Sequence, residues 1–566
     1  MKLKYRQMIC FVMAVVTVIS MLGGCTGKTQ TENAIMLEEK LSSLWDTVST
    51  DSTLQVPEDT TTVFFSVCNR EEKAQVVHAT GSNLDKAWEA AAKKAASLTK
   101  REGIIPYWVK ADIVVDKHRF SLEEMQNEMG LAKGHFYRAG LSLDEAMTTA
   151  FLEAECNANG IYDYEGKTIS EAAIKAYTGN KVHLPETVTA FVTNGYFCGT
   201  DNVVHKLSPY EKDYGIRHLV MDKESATSVV DLSMSYLQKQ IQYNGKFRYG
   251  YRAASGEEIE GYNSLRHWGT VWSMVEAYKL NPSDSLSQTI RNAIRYGIEA
   301  FIVYREDGTA FVQDFNNGRI IIGGGGLAVT ALCSYKEAFS DDQFDDLLHK
   351  LGNGILAMSD METGKYCHQW TPDFKVAEEF VTVYYDGEAT LGLCKLYAHD
   401  PNSDYLNMAR KAVDRFIAED YTKHRDHWVA YSVNELTKYD QSERYYAFAL
   451  QNIQNNTAKI LRTDESHFTN TELLMAGYDT YTRIIESGAE VKYLEQFDVD
   501  TFMEAIDYRL NQGLAAFGFP ETVMYFENPM EMYGCFFSRR DNFRARIDDI
   551  QHMSCGYINY VKSNLS

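Results

Sequence analysis

Six short stretches of this chain combine carboxylates, histidines, an arginine and aromatic rings at helix-start positions. They are Tyr262-Asn263-Ser264-Leu265-Arg266-His267-Trp268-Gly269-Thr270, Gly323 to Gly326, Val383-Tyr384-Tyr385-Asp386-Gly387-Glu388, Arg425-Asp426-His427-Trp428, Thr469-Asn470-Thr471-Glu472, and Arg546-Ile547-Asp548-Asp549-Ile550-Gln551-His552. Such residues suit acid/base chemistry. Glu388, flanked by Tyr384 and Tyr385, can serve as acid or base, or pair with an arginine. Asp548 and Asp549 open one helix, with His552 one turn beyond Asp548 on the same face. That spacing fits an Asp–His pair or a cap with a satisfied histidine. Arg266 and His267 can hold a carboxylate or sulfate, or lock neighbouring elements by ion pairs. Asp426 and His427 are ligand contacts or a cap. Tyr262, Trp268, Trp428 and Tyr533 offer flat faces for stacking or for core packing. Asp314 is the carboxylate expected on a hairpin. Its run Asp314-Phe315-Asn316-Asn317-Gly318 faintly resembles a calcium loop but lacks the downstream ligands, so it reads as a turn. No metal is expected, and no cofactor signature is present. H-E-x-x-H, G-x-S-x-G and dinucleotide fingerprints are missing. The glycine run lacks the Lys-Ser/Thr of a phosphate loop and reads as a place of close backbone approach.

The elements that would position these residues are helical. From about residue 220 the hydrophobic spacing predicts twelve helices, near 224–241, 264–280, 285–303, 325–339, 341–358, 387–399, 402–419, 427–439, 442–460, 470–487, 498–513 and 546–562. One set is rich in small residues (Gly323 to Gly326 with Ala328 and Ala331; Gly387, Ala389 and Gly392; Ala476 and Gly477). The other is amphipathic, as in Tyr405 to Val413. An inner and an outer ring of six hairpins follow. The inner N-termini, with their open N–H groups, gather at one rim. Segments 245–262, 309–323 and 364–385 read as β-hairpins walling that rim, and Asn317-Gly318 marks a tight turn.

This pattern over about 220–566 resembles the (α/α)6 toroid of many glycosidases, glucuronyl epimerases and polysaccharide lyases. The segments around Tyr262, Tyr385 and Asp426 also resemble those of bacterial cell-envelope proteins with toroid domains. The resemblance implies acid/base chemistry on a poly- or oligosaccharide. Glycosidases set two carboxyls about 6.5–9.5 Å apart for inversion or about 5–5.5 Å apart for retention. Epimerases and lyases need a Tyr, His or Glu base beside a uronate carboxyl. The leading expectation is a glycoside hydrolase-like enzyme using Glu388, Asp548 or Asp314, with His552 as a further acid/base. The alternatives are a uronate epimerase or lyase with a Tyr or His base, and a non-catalytic glycan-binding or envelope-assembly protein.

The rest of the chain reads as an address and a second domain. Residues 1–24 have a basic start and an apolar run from Met8 to Met21, followed by Leu22-Gly23-Gly24-Cys25. This resembles a bacterial lipoprotein signal, which implies lipid on Cys25 and an exported, membrane-anchored protein. Residues 25–60 read as a tether. Residues 61–205 read as an α+β domain of unassigned role, with strand pairs near 63–67 and 75–80 and a helix after Ser82. The fold class expected is therefore mainly α, with a smaller α+β domain first. The 566 residues are 45% hydrophobic and 12% aromatic, with 36 tyrosines, which excludes a disordered chain. Loss of Lys2, Lys4 and Arg6 with the signal takes the formal charge from −22 to −25, which excludes nucleic acid as a partner. The eight cysteines beyond Cys25 show no C-x-x-C pair and read as buried thiols.

Overall fold

The computed structural model describes residues 25–131, 134–208, 215–463 and 467–565. The expected signal peptide, residues 1–24, lies outside them, as does the Cys25 side chain. Among the described residues no helix is long and apolar enough to cross a membrane. All eight described cysteine side chains are free, and all but Cys367 are buried.

Helix α1 (Cys25–Val48) opens the described chain. Leu37, Leu41, Leu44 and Val48 recur at spacings of four, three and four and are buried. A solvated linker would expose that stripe, so residues 25–48 are not the expected tether; they form part of the first domain. The stripe packs on a sheet built from β1 (Thr61–Cys68), β2 (Gln75–Gly81), β3 (Trp108–Ser121) and β4 (Thr187–Cys198), with α2 (Leu84–Glu102) between β2 and β3. The strands are antiparallel in the order β2-β1-β3-β4, with Val63 opposite both Ala79 and Ile113. Asn83, not Ser82, caps α2, accepting from the N–H of Lys86.

Strand β1 is buried on both faces, and period-two alternation decides what each residue meets. Val63, Phe65 and Val67 face the helices, with Phe65 edge-on to Trp88 at 4.7 Å. Phe64 and Cys68 face the other way, into the core shared with the helical domain. There Ser66 Oγ meets Tyr525 Oη at 2.8 Å. Beside them, Arg217 donates to both oxygens of the buried Glu521 at 2.9 and 2.7 Å.

The helical domain is an (α/α)6 toroid. Its outer helices are α3 (Lys223–Gln240), α5 (Asp284–Phe301), α7 (Asp345–Ala357), α9 (Ser403–Ala418), α11 (Glu443–Leu461) and α13 (Val499–Gly513). They alternate along the chain with inner helices α4 (Ser264–Leu280), α6 (Ile322–Phe339), α8 (Val383–Tyr397), α10 (His427–Leu436), α12 (Asn470–Ser487) and α14 (Ile547–Lys562). Each inner helix packs on the next, and α14 packs back on α4, so the ring closes. Small residues permit this closeness. A Cβ on Gly326 would lie 2.2 Å from the carbonyl oxygen of Glu388, and one on Gly392 would lie 2.7 Å from that of Gly326.

The connections are unequal. Those leaving the inner helices, such as Asn281–Ser283, are short. Those entering α4, α6, α8 and α14 are long and carry the rim strands, including Gly250–Arg252 paired with Glu257–Ile259, and Ile320–Ile321 paired with Gln369–Trp370. The last and longest, between α13 and α14, is the one on which the N-terminal domain sits.

Candidate functional site

The inner-helix N-termini place a closed circuit of ionisable groups around one mouth of the toroid. Their side chains come from α4, the hairpin before α6, and then α8, α10, α12 and α14. Capping accounts for part of the polar content. Asn263 accepts from the N–H of Arg266, Thr382 from that of Tyr384, and Asp426 from that of Trp428. The other groups exceed what capping needs.

Glu388 is one of the unsatisfied ones. It is 4% exposed, and its Oε2 has no hydrogen-bond partner. Burial, helped by neighbouring Asp426, holds its carboxyl well above the usual carboxylate range, which favours the protonated form. The tetraglycine explains its location. A Cβ on Gly323 would stand 2.1 Å from Oε2, so only glycine leaves room for this carboxyl. Tyr385 lies beside it and is pushed up to about 12 by burial and by Glu388. Tyr384, one residue earlier, is 46% exposed at the mouth.

The circuit continues on both sides. Asp426 is buried and pushed up to about 7 by burial, and its Oδ2 has no partner. His427 is 3% exposed, and both ring nitrogens lack hydrogen bonds. Its Nδ1 lies 3.8 Å from Asp426 Oδ1, and its Nε2 lies 3.7 Å from Glu472 Oε2. Glu472 receives a hydrogen bond from Tyr431 Oη at 3.1 Å, and its Oε2 lies 2.7 Å from His552 Nδ1. Asp548 stands one turn before His552, 3.7 Å from Arg266 Nε and 3.5 Å from Arg546, with Oδ1 unpartnered. On the far side Asp314 accepts from the N–H and hydroxyl of Ser264, both at 3.4 Å, and its Oδ1 is free. Burial raises its carboxyl too, against the pull of Arg266. Helices α8 and α14 are third and sixth in the ring, so Glu388 and Asp548 are carried by opposite inner helices.

Aromatic rings form the floor. Trp272 of α4 and Trp428 of α10 meet across the ring at 5.8 Å, and Tyr431 lies edge-on to Trp272 at 5.4 Å. Beneath them is a separate cavity of about 130 Å³, bordered by Glu276, Lys395 and Glu435. A wider groove of about 1250 Å³ runs between the two domains, past His78, Glu155, Tyr177 and Arg252, away from the circuit.

Several residues expected at the rim have inward roles instead. Tyr262 Oη bonds His267 Nδ1 at 2.6 Å, and His267 Nε2 donates to the carbonyl of Ala293 at 3.0 Å. His267 is a fully buried, satisfied histidine, pushed down to about 3 by burial. It carries no charge for an anion, and neither it nor Tyr262 faces the mouth. Trp268 is fully buried, and its indole packs against Gly297 on α5 rather than stacking on a ligand. Asp549 is taken up by Arg546, which donates to both its oxygens at 2.9 and 2.6 Å, with Arg544 at 3.6 Å. It is an anchor for the mouth, not a contact for a ligand. Tyr533 packs against Trp108 between the domains. Arg266, half-buried over the ring of Tyr249, keeps to the mouth. Glu472 and Tyr431 had no assigned role in the sequence. The Thr469-Asn470-Thr471-Glu472 helix start was the only signal for Glu472.

A scan of the chain against protein-family models finds no match, and a search of curated proteins finds none either. Solved structures are similar to its toroid. A cellobiose 2-epimerase from Bacillus thermoamylovorans B4167 aligns with 60% of this chain and 99% of its own, at 11% identity and a TM-score of 0.45. A sugar epimerase from a ruminal bacterium aligns with 61% of this chain and 100% of its own, at 12% identity and a TM-score of 0.46. A GH76 α-mannanase from Bacteroides thetaiotaomicron aligns with 60% of this chain and 97% of its own, at 12% identity and a TM-score of 0.42.

Proposed function

We propose that the mouth of the toroid acts on a carbohydrate as a glycoside hydrolase-like site, with Glu388 as proton donor and Asp548 as its opposite carboxylate. The observation that carries this reading is the buried carboxyl of Glu388, seated in a gap that only Gly323 leaves and bonded through Oε2 to nothing. A neutral carboxylic acid in an apolar seat is what protonation of a leaving glycosidic oxygen requires. Asp548, held beside two arginines, is placed to activate water or attack the sugar from the other side. The half-exposed ring of Tyr384 offers a face to a pyranose.

The test is a screen of envelope and host polysaccharides for released reducing ends. Glu388→Gln and Asp548→Asn should each lower kcat/KM by about 10²–10⁴-fold on any substrate found. Unchanged kinetics in both variants would remove them from the reaction.

A second reading, proton abstraction beside a uronate carboxyl, is favoured by Arg266. This cation lies at the mouth, near Asp314 and Tyr385. A lyase would release unsaturated, ultraviolet-absorbing fragments, and an epimerase would alter sugars without breaking chains. Binding without turnover would point to a glycan-binding or assembly role. Export with lipid on Cys25 is also our proposal, resting on the lipobox-like Leu22-Gly23-Gly24-Cys25. Mass spectrometry of the membrane fraction should find a diacylated Cys25 as the first residue, and Cys25→Ser should abolish it.

A further inference from the structure

Three side chains on three successive inner helices converge at the mouth in a way that acid/base catalysis by Glu388 and Asp548 leaves unexplained. They are His427 at the start of α10, Glu472 in the first turn of α12, and His552 in the second turn of α14. One ligand-type atom from each falls within 4.8 Å of the other two. Three further observations separate this cluster from a chance meeting of polar groups.

The first is the state of His427. A buried imidazole normally bonds through at least one nitrogen, as His267 does through both. His427 is 3% exposed, yet neither ring nitrogen has a partner, and Nε2 is directed at Glu472 Oε2 from 3.7 Å. That separation is too long for a hydrogen bond. It suits two donor atoms about 2.0–2.2 Å from one shared ion.

The second is the setting of two of the groups. Tyr431 Oη holds the second oxygen of Glu472 at 3.1 Å, and Asp426 Oδ1 stands 3.8 Å from the other nitrogen of His427, beyond hydrogen-bond reach but the nearest carboxylate behind it. Carboxylates behind ligating histidines, and hydrogen bonds behind ligating carboxylates, orient first-shell ligands in metal sites.

The third is charge and access. His552 has Glu472, Asp548 and Asp549 as its acidic neighbours, so the local field favours a cation. Glu472 and His427 are buried, while His552 keeps 17% of its side chain exposed. His552 is thus the one of the three with a solvent-accessible edge.

We propose that His427 Nε2, Glu472 Oε2 and His552 Nδ1 form a three-ligand site for a divalent first-row transition metal, zinc foremost, with its open position toward the toroid mouth. The metal would take the place of the proton between Glu472 and His552, and would give His427 the partner it lacks. Two imidazoles and one carboxylate with an open position form the donor set of catalytic zinc sites and of non-haem iron(II) sites. The site goes beyond the proposed hydrolase chemistry and is testable without any substrate.

The experiment uses the mature chain from residue 25, stripped with a chelator and dialysed. Zinc binding is measured by calorimetry, and cobalt(II) binding by visible absorption. The expected result is one equivalent of zinc, with cobalt d–d bands of intensity typical of four- or five-coordinate nitrogen and oxygen ligation. His427→Asn and His552→Asn should each weaken binding by about 100-fold or more, and Asp426→Asn by about 10-fold. His349→Asn, on outer helix α7, should bind as wild type does. Circular dichroism of each variant before titration separates lost ligation from lost fold. The proposal is overturned if the wild-type chain takes up no stoichiometric metal, or if folded His427→Asn and His552→Asn bind zinc as tightly as wild type.

Discussion

The upward shift of the Glu388 carboxyl can be measured before any substrate is found. A glutamate in the unfolded chain titrates near its ordinary value of 4.5, whereas the folded carboxyl is held well above that by burial and by Asp426. Between the two values the folded state holds a proton that the unfolded state has released. Stability therefore falls as pH rises through this window, by up to about 1.36 kcal/mol per pH unit for one proton. From pH 5 to pH 7 a carboxyl that stays protonated throughout would cost at most about 2.5 kcal/mol, allowing for partial ionisation of the unfolded glutamate at pH 5. Glutamine has nearly the same shape and does not titrate. Wild type and Glu388→Gln should thus be compared by urea unfolding, followed by tryptophan fluorescence, at half-unit steps from pH 5 to pH 7. The difference between them isolates Glu388, because most other titrating groups are common to both proteins. The variant should gain on wild type with rising pH, by up to about 2.5 kcal/mol between pH 5 and pH 7. Parallel profiles would mean that the carboxyl ionises as a solvated glutamate does, and the case for a proton donor at this position would fall.

Three further outcomes follow from the packing. Gly323→Ala places a methyl 2.1 Å from Glu388 Oε2. Because alanine favours helix by about 1 kcal/mol, melting should change little, while turnover of an identified substrate falls by at least 10-fold as the carboxyl is displaced. Tyr262→Phe removes the hydroxyl bonded to His267 and should cost about 1–2 kcal/mol in denaturant unfolding with kcat/KM unchanged, since the pair serves the core. Arg217→Ala leaves Glu521 buried without its partner and should destabilise the domain junction by about 3–5 kcal/mol, seen as earlier melting and faster proteolysis between the domains.

Most of the toroid was legible because its two helix types differ in composition. Glycine and alanine at Gly323 to Gly326, Gly387, Ala389 and Gly392 can serve only where backbones touch, and that places α6 and α8 side by side in the inner ring. The helix starts followed to within a few residues. The direction in which each side chain points was less legible. Tyr262, His267 and Trp268 sit in the same stretch as Arg266, yet within the helix a step of about 100° per residue turns His267 and Trp268 into the core and leaves Arg266 at the mouth, while Tyr262 enters the core from the connection before the cap. Residue type does not report that rotation when every face of an inner helix is buried. The meeting of His427, Glu472 and His552 was hidden for another reason. The three lie 45 and 80 positions apart and come together only when α14 closes the ring, so no local spacing announces them. The stripe of Leu37, Leu41, Leu44 and Val48 was readable as a helix, but its polar, turn-rich surroundings disguised it as linker.

The tryptophan floor also decides how a polymer can meet this protein. Trp272 and Trp428 close the ring from within, so the mouth is a blind well rather than a tunnel. A polymer therefore cannot thread through the toroid and be pulled along it. On the proposed carbohydrate reading, whatever enters would back out the way it came, each encounter would be a separate docking event, and release would compete with every turnover.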